Sequence, residues 1–365
     1  MKISMNLADL RGLASDCAGI VPRQATNPAL ACVLLVADGD TLTATATDTT
    51  ATIRDSVPAS VSEPGSVLVD AKTLVSVAKG LTGDSVAISV SRGRLLVSAS
   101  GASFRLPLVD VDDYPPVKIE DSDGATVSGA AMSAAFEAIN HAISQDDNRY
   151  GLNGAHVEQT PTGVRVVATD GARLCYSEIA TEGEINPPKS RLLPRRAVAD
   201  MRRLASTAAG AWVWAMSDGL ATFRTGALSY SVRLIDGEFP DYRQVIPDRF
   251  DRVIQVAPDA LKGSLRRAGI VADGQTNSAR LGASSDGLTI SAESPDAGGV
   301  TETIPASVEG PDILTGISAR YMGDAIGAVG GDLVVISMGG ELAPIQITSP
   351  ENPDTVAIVM PMRLD

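Results

Sequence analysis

The feature that most constrains this chain is repetition. The stretch Val166-Val167-Ala168-Thr169-Asp170-Gly171-Ala172-Arg173-Leu174-Cys175-Tyr176-Ser177 has two echoes, Leu42-Thr43-Ala44-Thr45-Ala46-Thr47-Asp48-Thr49 and Leu288-Thr289-Ile290-Ser291-Ala292-Glu293-Ser294. Ala46, Ala168 and Ala292 are spaced by 122 and 124 residues; Asp70, Pro194 and Ser318, each opening a helix-like run, by 124 and 124. A fixed period of this size means that one folding unit has been copied, and 365 residues hold three copies of about one domain each. The boundaries expected are 1–122, 123–250 and 251–365.

Each unit reads as helix, strands, helix, strands. Helices are expected at about 6–18, 70–80, 128–144, 194–206, 257–270 and 318–328. Asn6 can cap the first. Met132, Phe136, Ile139 and Ile143 stand at spacings of 4, 3 and 4, a helix face. Pro194 sits at a helix start, where its missing N–H costs nothing. Alternating segments such as 31–36, 86–90, 164–177, 212–216 and 288–292 read as strands. Thr169-Asp170-Gly171 reads as a strand-end turn rather than a catalytic aspartate. The fold class is α+β, with helices on one face of antiparallel sheets.

Several function classes drop out. No apolar run approaches the ~20 residues of a membrane span, and the first residues lack a signal peptide's long apolar region. Cys17, Cys32 and Cys175 are widely spaced without a CxxC pattern, which points to a reducing cytoplasm. With only His141 and His156, neither in a motif, no metal site and no Ser-His-Asp or Cys-His set is expected. The Gly-rich spots do not fit a phosphate-binding loop, so no cofactor is implied. The acids of Asp146-Asp147-Asn148 read as helix-end caps, the remaining alternative being an enzymatic site in that loop.

The formal net charge of −14 argues against nucleic acid, but its distribution does not. The six expected helices carry eleven bases and seven acids, which leaves a net −18 on everything else. Arg195, Arg196, Arg202 and Arg203 share one side of their helix, opposite Val198, Met201 and Ala205; Lys262 and Arg266 share a face at i,i+4. Basic helices in the same slot of successive units, arranged around a ring or groove, would contact phosphates without reading bases. At the other extreme, Met360, Pro361, Met362 and Leu364 make an adaptable apolar lip suited to partner peptides.

Four motifs then stand in one order: Arg149-Tyr150-x-Leu152-Asn153-Gly154, Ala168-Thr169-Asp170-Gly171-x-Arg173-Leu174, Asp236-Gly237-x-Phe239-Pro240-Asp241-Tyr242-Arg243 and Val359-Met360-Pro361-Met362-Arg363-Leu364. With the threefold repeat, they make the whole chain resemble the bacterial DNA polymerase III beta subunit family, the sliding clamps. The resemblance implies three clamp domains per chain and a head-to-tail homodimeric ring around double-stranded DNA. It also implies no catalytic site, and a pocket that tethers the DNA polymerase III alpha subunit, the clamp loader and other proteins bearing a Gln followed by Leu and Phe anchors. Carried over by position, that pocket is Leu152, Thr169, Gly171, Arg173, Leu174, Pro240, Val245, Pro344, Val359, Met360, Pro361, Met362 and Leu364. The resemblance places DNA contacts at Arg23 or Gln24, Arg149 and Tyr150, and a dimer interface of Phe104 and Leu106 against Ile270 and Val271. Departures from the family pattern are Ala172 where a His is common, Gln244 where an Arg is common, Gly151 in place of a second aromatic, and Asp365 beyond the usual terminal Leu. They leave open a paralogue that binds partners without serving the main polymerase.

Overall fold

The computed structural model describes residues 1–365 apart from 23, 26, 118, 120–122, 186–190, 209, 218, 273, 275 and 364–365. Two expected site residues, Arg23 and Leu364, lie outside the described residues. The chain forms two compact units. One comprises Met1–Gly129, Gly183–Asn186 and Ser206–Leu234, the other Ala130–Glu182, Pro187–Ala205 and Ile235–Asp365.

Six α-helices are described: α1 (Leu7–Ile20), α2 (Ala71–Gly80), α3 (Gly129–Asn140), α4 (Arg195–Thr207), α5 (Pro258–Val271) and α6 (Ala319–Val329). Their starts follow from capping. Side-chain oxygens of Asn6, Asp70 and Ser318 accept from the N–H groups of Ala8 at 2.7 Å, Thr73 at 2.8 Å and Tyr321 at 3.4 Å. Helix α3 stops earlier than the apolar spacing predicts. The bonds Ala142 N to Ile139 O and Ile143 N to Asn140 O span only three residues, so the chain tightens and turns away while Ile143 stays buried.

Antiparallel ladders organise each unit. In the first unit, eight strands run in the order Ala125–Ser128, Ala211–Met216, Leu220–Thr225, Leu228–Arg233, Ala51–Pro58, Thr41–Thr47, Cys32–Asp38 and Gly65–Asp70. Trp214, Phe223 and Tyr230 fill its interior, with ring centroids 5.1 and 6.2 Å apart. In the second unit, nine strands run Arg191–Pro194, Gly154–Thr160, Gly163–Thr169, Arg173–Glu182, Thr355–Val359, Ile345–Thr348, Val334–Met338, Arg252–Val256 and Ser307–Glu309. The segment 164–177 forms two strands of a hairpin, Gly163–Thr169 and Arg173–Glu182, joined at 170–172, where the strand-end turn was expected.

The repeat is visible in the ladders. Isolated bridges Leu68↔Val109, Leu192↔Ile235 and Gly316↔Met362 occupy the same place in successive repeats. In each unit the fourth-position strand of one repeat pairs with the last strand of the next. Ala51–Pro58 pairs with Leu228–Arg233, Tyr230 opposite Ile53; Arg173–Glu182 pairs with Thr355–Val359, Ala357 opposite Cys175. The corresponding strands left over are Ala102–Pro107 and Gly298–Ile304. Each is the edge strand of a further sheet, the first in the first unit and the second in the second.

The helices carry eleven bases and six acids, because Asp70 turns out to be a cap outside α2. Part of that positive charge is spoken for. Arg11 donates to the Ala78 carbonyl at the end of α2, at 2.9 Å. Arg196 pairs with Asp200 at 3.2 Å, Arg202 with Glu137 at 3.1 Å and Arg267 with Glu302 at 2.7 Å. Lys79, Lys262, Arg266 and Arg320 make no ion pair among the described residues.

Candidate peptide-binding groove

In the second unit, the hairpin turn after Thr169 is built by its own side chains. Asp170 Oδ1 accepts from the N–H groups of Ala172 at 3.0 Å and Arg173 at 3.1 Å, and Thr169 Oγ1 donates to the Arg173 carbonyl at 2.6 Å. Gly171 adopts φ 93°, a conformation costly for other residues. This turn aims Arg173 inward. Only 7% of its side chain is exposed; Nε donates to Asp170 Oδ2 at 3.0 Å, Nη1 to Asp324 Oδ2 at 2.6 Å, and its guanidinium stacks 4.2 Å from the Tyr321 ring centroid.

Beside this turn lies a cavity of about 200 Å³. Thr169, Gly171, Arg173 and Leu174 form one wall; Pro240, Asp241, Tyr242 and Val245 form another. Ile358 and Met360 come from the last strand and its exit, and Leu152 from a 3₁₀ turn. The floor is a cluster of Val167, Leu174, Tyr242, Val356 and Ile358. Such an apolar slot suits leucine- or phenylalanine-sized anchors.

Eight of the expected pocket residues surround this cavity: Leu152, Thr169, Gly171, Arg173, Leu174, Pro240, Val245 and Met360. Val359 does not. It is fully buried on the opposite face of its strand, where side chains alternate, and its neighbour Ile358 lines the cavity. Pro344, Pro361 and Met362 lie outside the cavity wall; the Met362 N–H bonds to the Gly316 carbonyl at 2.8 Å. Asp241 and Tyr242 belong to the wall, and Tyr242 could have been picked out, because it sits inside the Phe239-Pro240-Asp241-Tyr242 motif already singled out.

Behind the wall a charged network fixes Tyr242. Its hydroxyl donates to Glu158 Oε1 and accepts from Arg165 Nη1 at 3.2 Å, while Arg243 Nη2 donates to Glu158 Oε2 at 2.7 Å. His156 stacks on Phe239 with centroids 4.9 Å apart, its Nε2 3.5 Å from Glu158. Burial pushes the Glu158 carboxyl up, but hydrogen bonds from His156, Tyr242 and Arg243 outweigh that and bring it down to about 2. Since this lies below the ordinary carboxylate value, the tie stabilises the wall above about pH 4.5 and is lost as pH falls towards 2. Burial and the neighbouring Glu158 push the Tyr242 hydroxyl up to about 12, so it stays a donor.

A second, polar cavity of about 280 Å³ adjoins the turn. It is lined by Ile143, Ser144, Gln145, Asp146 and Arg149 from one side, Asp170, Ala172 and Arg173 from the turn, and Arg320 and Tyr321 from the first turn of α6. Arg149 Nη1 donates to the Asp170 carbonyl at 2.9 Å. His141 beneath donates from Nδ1 to the Ala138 carbonyl at 2.8 Å; burial, then the positive charge of Arg173, push its pKa down. Asp146 accepts from the Asn148 N–H, which makes it a turn cap as its position in the sequence implies.

The remaining expected residues are placed as follows. Tyr150 is 70% exposed, and Arg149, Gln24, Arg195 and Arg266 are exposed, whereas Arg196, Arg202, Arg203 and Lys262 are half-buried. A side chain at Gly151 would meet the Glu238 carbonyl at 2.5 Å, which accounts for the missing second aromatic. Phe104 is 38% and Ile270 75% exposed, Val271 is half-buried, and Leu106 is buried at 5%. Among the described residues, no group of three His, Cys, Asp or Glu could hold a metal ion, and no helix is long and apolar enough to cross a membrane.

The family models for the N-terminal, central and C-terminal domains of the DNA polymerase III beta subunit match residues 1–118, 126–241 and 243–363. The chain is 29% identical over 376 residues to the beta sliding clamp of Caulobacter vibrioides strain NA1000, and 28% identical over 372 residues to that of Escherichia coli K12. Both comparisons cover all of each chain. A sliding clamp from Pseudomonas aeruginosa, solved bound to griselimycin, superposes with a TM-score of 0.93 at 27% identity and full coverage of both chains. Three copies of one α+β clamp domain define a DNA sliding clamp of replication, a processivity factor rather than an enzyme. The chain belongs to the DNA polymerase III beta subunit family.

Proposed function

We propose that two copies of this chain close head-to-tail into a ring around duplex DNA in the cytoplasm. In this reading the groove tethers the DNA polymerase III alpha subunit, the clamp loader and other motif-bearing proteins, and the domains divide at 1–122, 123–250 and 251–365. The observation that carries the reading is the pair of leftover edge strands. Two junctions of one kind are made within the chain, and the two strands that would make a third are edges in separate units. An unpaired edge is a ready template for another chain, and a heterologous contact that closes after two copies removes both edges. The bridges at Val109, Ile235 and Met362 set the count: five residues earlier come Phe104, Tyr230 and Ala357. Tyr230 faces Ile53 and Ala357 faces Cys175, so Phe104 is to face Val300 of a second copy.

Inside such a ring Lys79, Lys262 and Arg266, which make no ion pair among the described residues, together with Arg149 and Tyr150, would hold phosphates without base contacts, so the ring stays on yet slides. Holding a polymerase through the groove raises its local concentration at the primer end, so processivity needs no chemistry from the clamp itself. The test of closure is a disulfide. The three natural cysteines are buried, so Phe104→Cys with Val300→Cys is to oxidise to a covalent species near twice 37.6 kDa. Phe104→Cys with Thr301→Cys, one residue out of register, is not. Equal crosslinking of both pairs, or a monomer in solution, contradicts the proposed closure.

A further inference from the structure

The polar cavity beside the groove keeps uncommitted donors among the described residues. Asp170 Oδ1 is taken by the Ala172 and Arg173 N–H groups, and Oδ2 by Arg173 Nε. Asp146 Oδ1 takes the Asn148 backbone and side-chain N–H groups at 3.0 Å each, and Oδ2 lies 3.6 Å from Arg149 Nε. Arg173 is committed to Asp170 and Asp324. Three polar side chains on the wall remain, the Gln145 amide among them. The Arg320 guanidinium has neither hydrogen bond nor ion pair among the described residues, and the Tyr321 hydroxyl has no hydrogen-bond partner there. A site whose carboxylates already face arginines or backbone N–H groups, and whose uncommitted groups are a guanidinium, a hydroxyl and an amide that can all donate, suits an anionic acceptor.

We propose that this cavity reads an acidic side chain, Asp or Glu, flanking the apolar anchors of a peptide held in the groove, with Arg320 as the specificity-determining residue. The inference rests on the groove being a peptide site and adds a charge preference to it. Arg173 lines both cavities, and Gly171 and Ala172 stand one on each side of the partition, so a peptide leaving the groove enters the polar cavity within about one residue. Ala172 presents only a methyl group to this wall, and about 280 Å³ holds a carboxylate side chain with several waters at ~30 Å³ each. A DNA phosphate is the weaker candidate. A continuous polyanion meets the repulsion of the two wall carboxylates phosphate after phosphate, whereas a single carboxylate meets it once and needs only the Arg320 guanidinium.

The test uses fluorescence polarisation with three fluorescein-labelled peptides sharing a Gln followed by Leu and Phe anchors. One carries Glu on the N-terminal flank, one Glu on the C-terminal flank, and one Gln on both. One Glu peptide is expected to bind the wild-type protein about three- to tenfold tighter than the Gln peptide at low salt, with the preference shrinking in 0.5 M salt. Arg320→Ala is expected to abolish the preference while leaving the Gln peptide's affinity unchanged, and Arg320→Glu to invert it. Equal affinities for all three peptides on the wild type overturn the proposal while leaving the groove in place. So does equal weakening of every peptide by Arg320→Ala, which marks a structural role, or a loss of DNA retention with the preference intact, which marks a phosphate contact. No binding of any peptide sinks the groove reading, and the subsite with it.

Discussion

At Thr47–Ala51 and at Thr169–Arg173 the chain makes one turn twice. The aspartate at the second position accepts from two backbone N–H groups in both, Thr50 and Ala51 in the first repeat, Ala172 and Arg173 in the second. The threonine hydroxyl donates to the closing carbonyl in both, at 2.9 and 2.6 Å, and the third residue takes positive φ in both, Thr49 at 78° and Gly171 at 93°. Even the following ladder is shared, with Ala51 opposite Val232 and Arg173 opposite Val359. What differs is the side chain at the closing position. Ala51 vanishes into the core, while Arg173 spans Asp170, Asp324 and Tyr321 and stands between two cavities. The backbone and its hydrogen bonds are the copied part; the site is one arginine and one glycine added to it.

Arg173→Ala breaks that comparison hardest. It strands the carboxylates of Asp170 and Asp324 and is expected to cost about 3 kcal/mol of stability, with peptide binding falling below detection in the same polarisation assay. Asp48→Ala, in the first repeat, is expected to cost only about 1 kcal/mol and to leave peptide affinity alone. Leu174→Ala removes groove wall and floor without touching the ion pairs. Titration should show peptide affinity down about tenfold or more. The smallest effects have opposite signs. Gly171→Ala should destabilise by about 1 kcal/mol, whereas Thr49→Gly should stabilise by about 0.5 kcal/mol by relieving a branched residue at φ 78°. Denaturant midpoints of the two variants moving in the same direction would show that the turns are not equivalent.

The repeat and the helices were legible because they are local. Caps, spacing and a proline at a helix start place six elements with starts within one residue. The strand Ala51–Pro58 escaped notice because Arg54, Asp55 and Ser56 interrupt any apolar alternation, although its pairing to Leu228–Arg233 is what joins two repeats. The groove was legible through motifs, yet motif positions do not say which face a strand turns inward, hence Ile358 where Val359 was expected. Charge was the least legible. Arg173 meets Asp324 across 151 residues and Arg11 caps a helix end 67 residues away, so a basic residue on a helix does not declare in sequence whether it is free. Nothing in the sequence distinguishes Arg320 from the other ten helix bases; its place on the wall of the polar cavity does.

The central claim is a ring that holds DNA by topology. Protein is threaded onto linear duplex carrying biotin at both ends, the ends are either blocked with streptavidin or left open, and DNA-bound protein is measured by gel filtration at 150 mM salt. The account predicts retention on blocked DNA and loss from open DNA. Equal retention on both, or none on either, contradicts it.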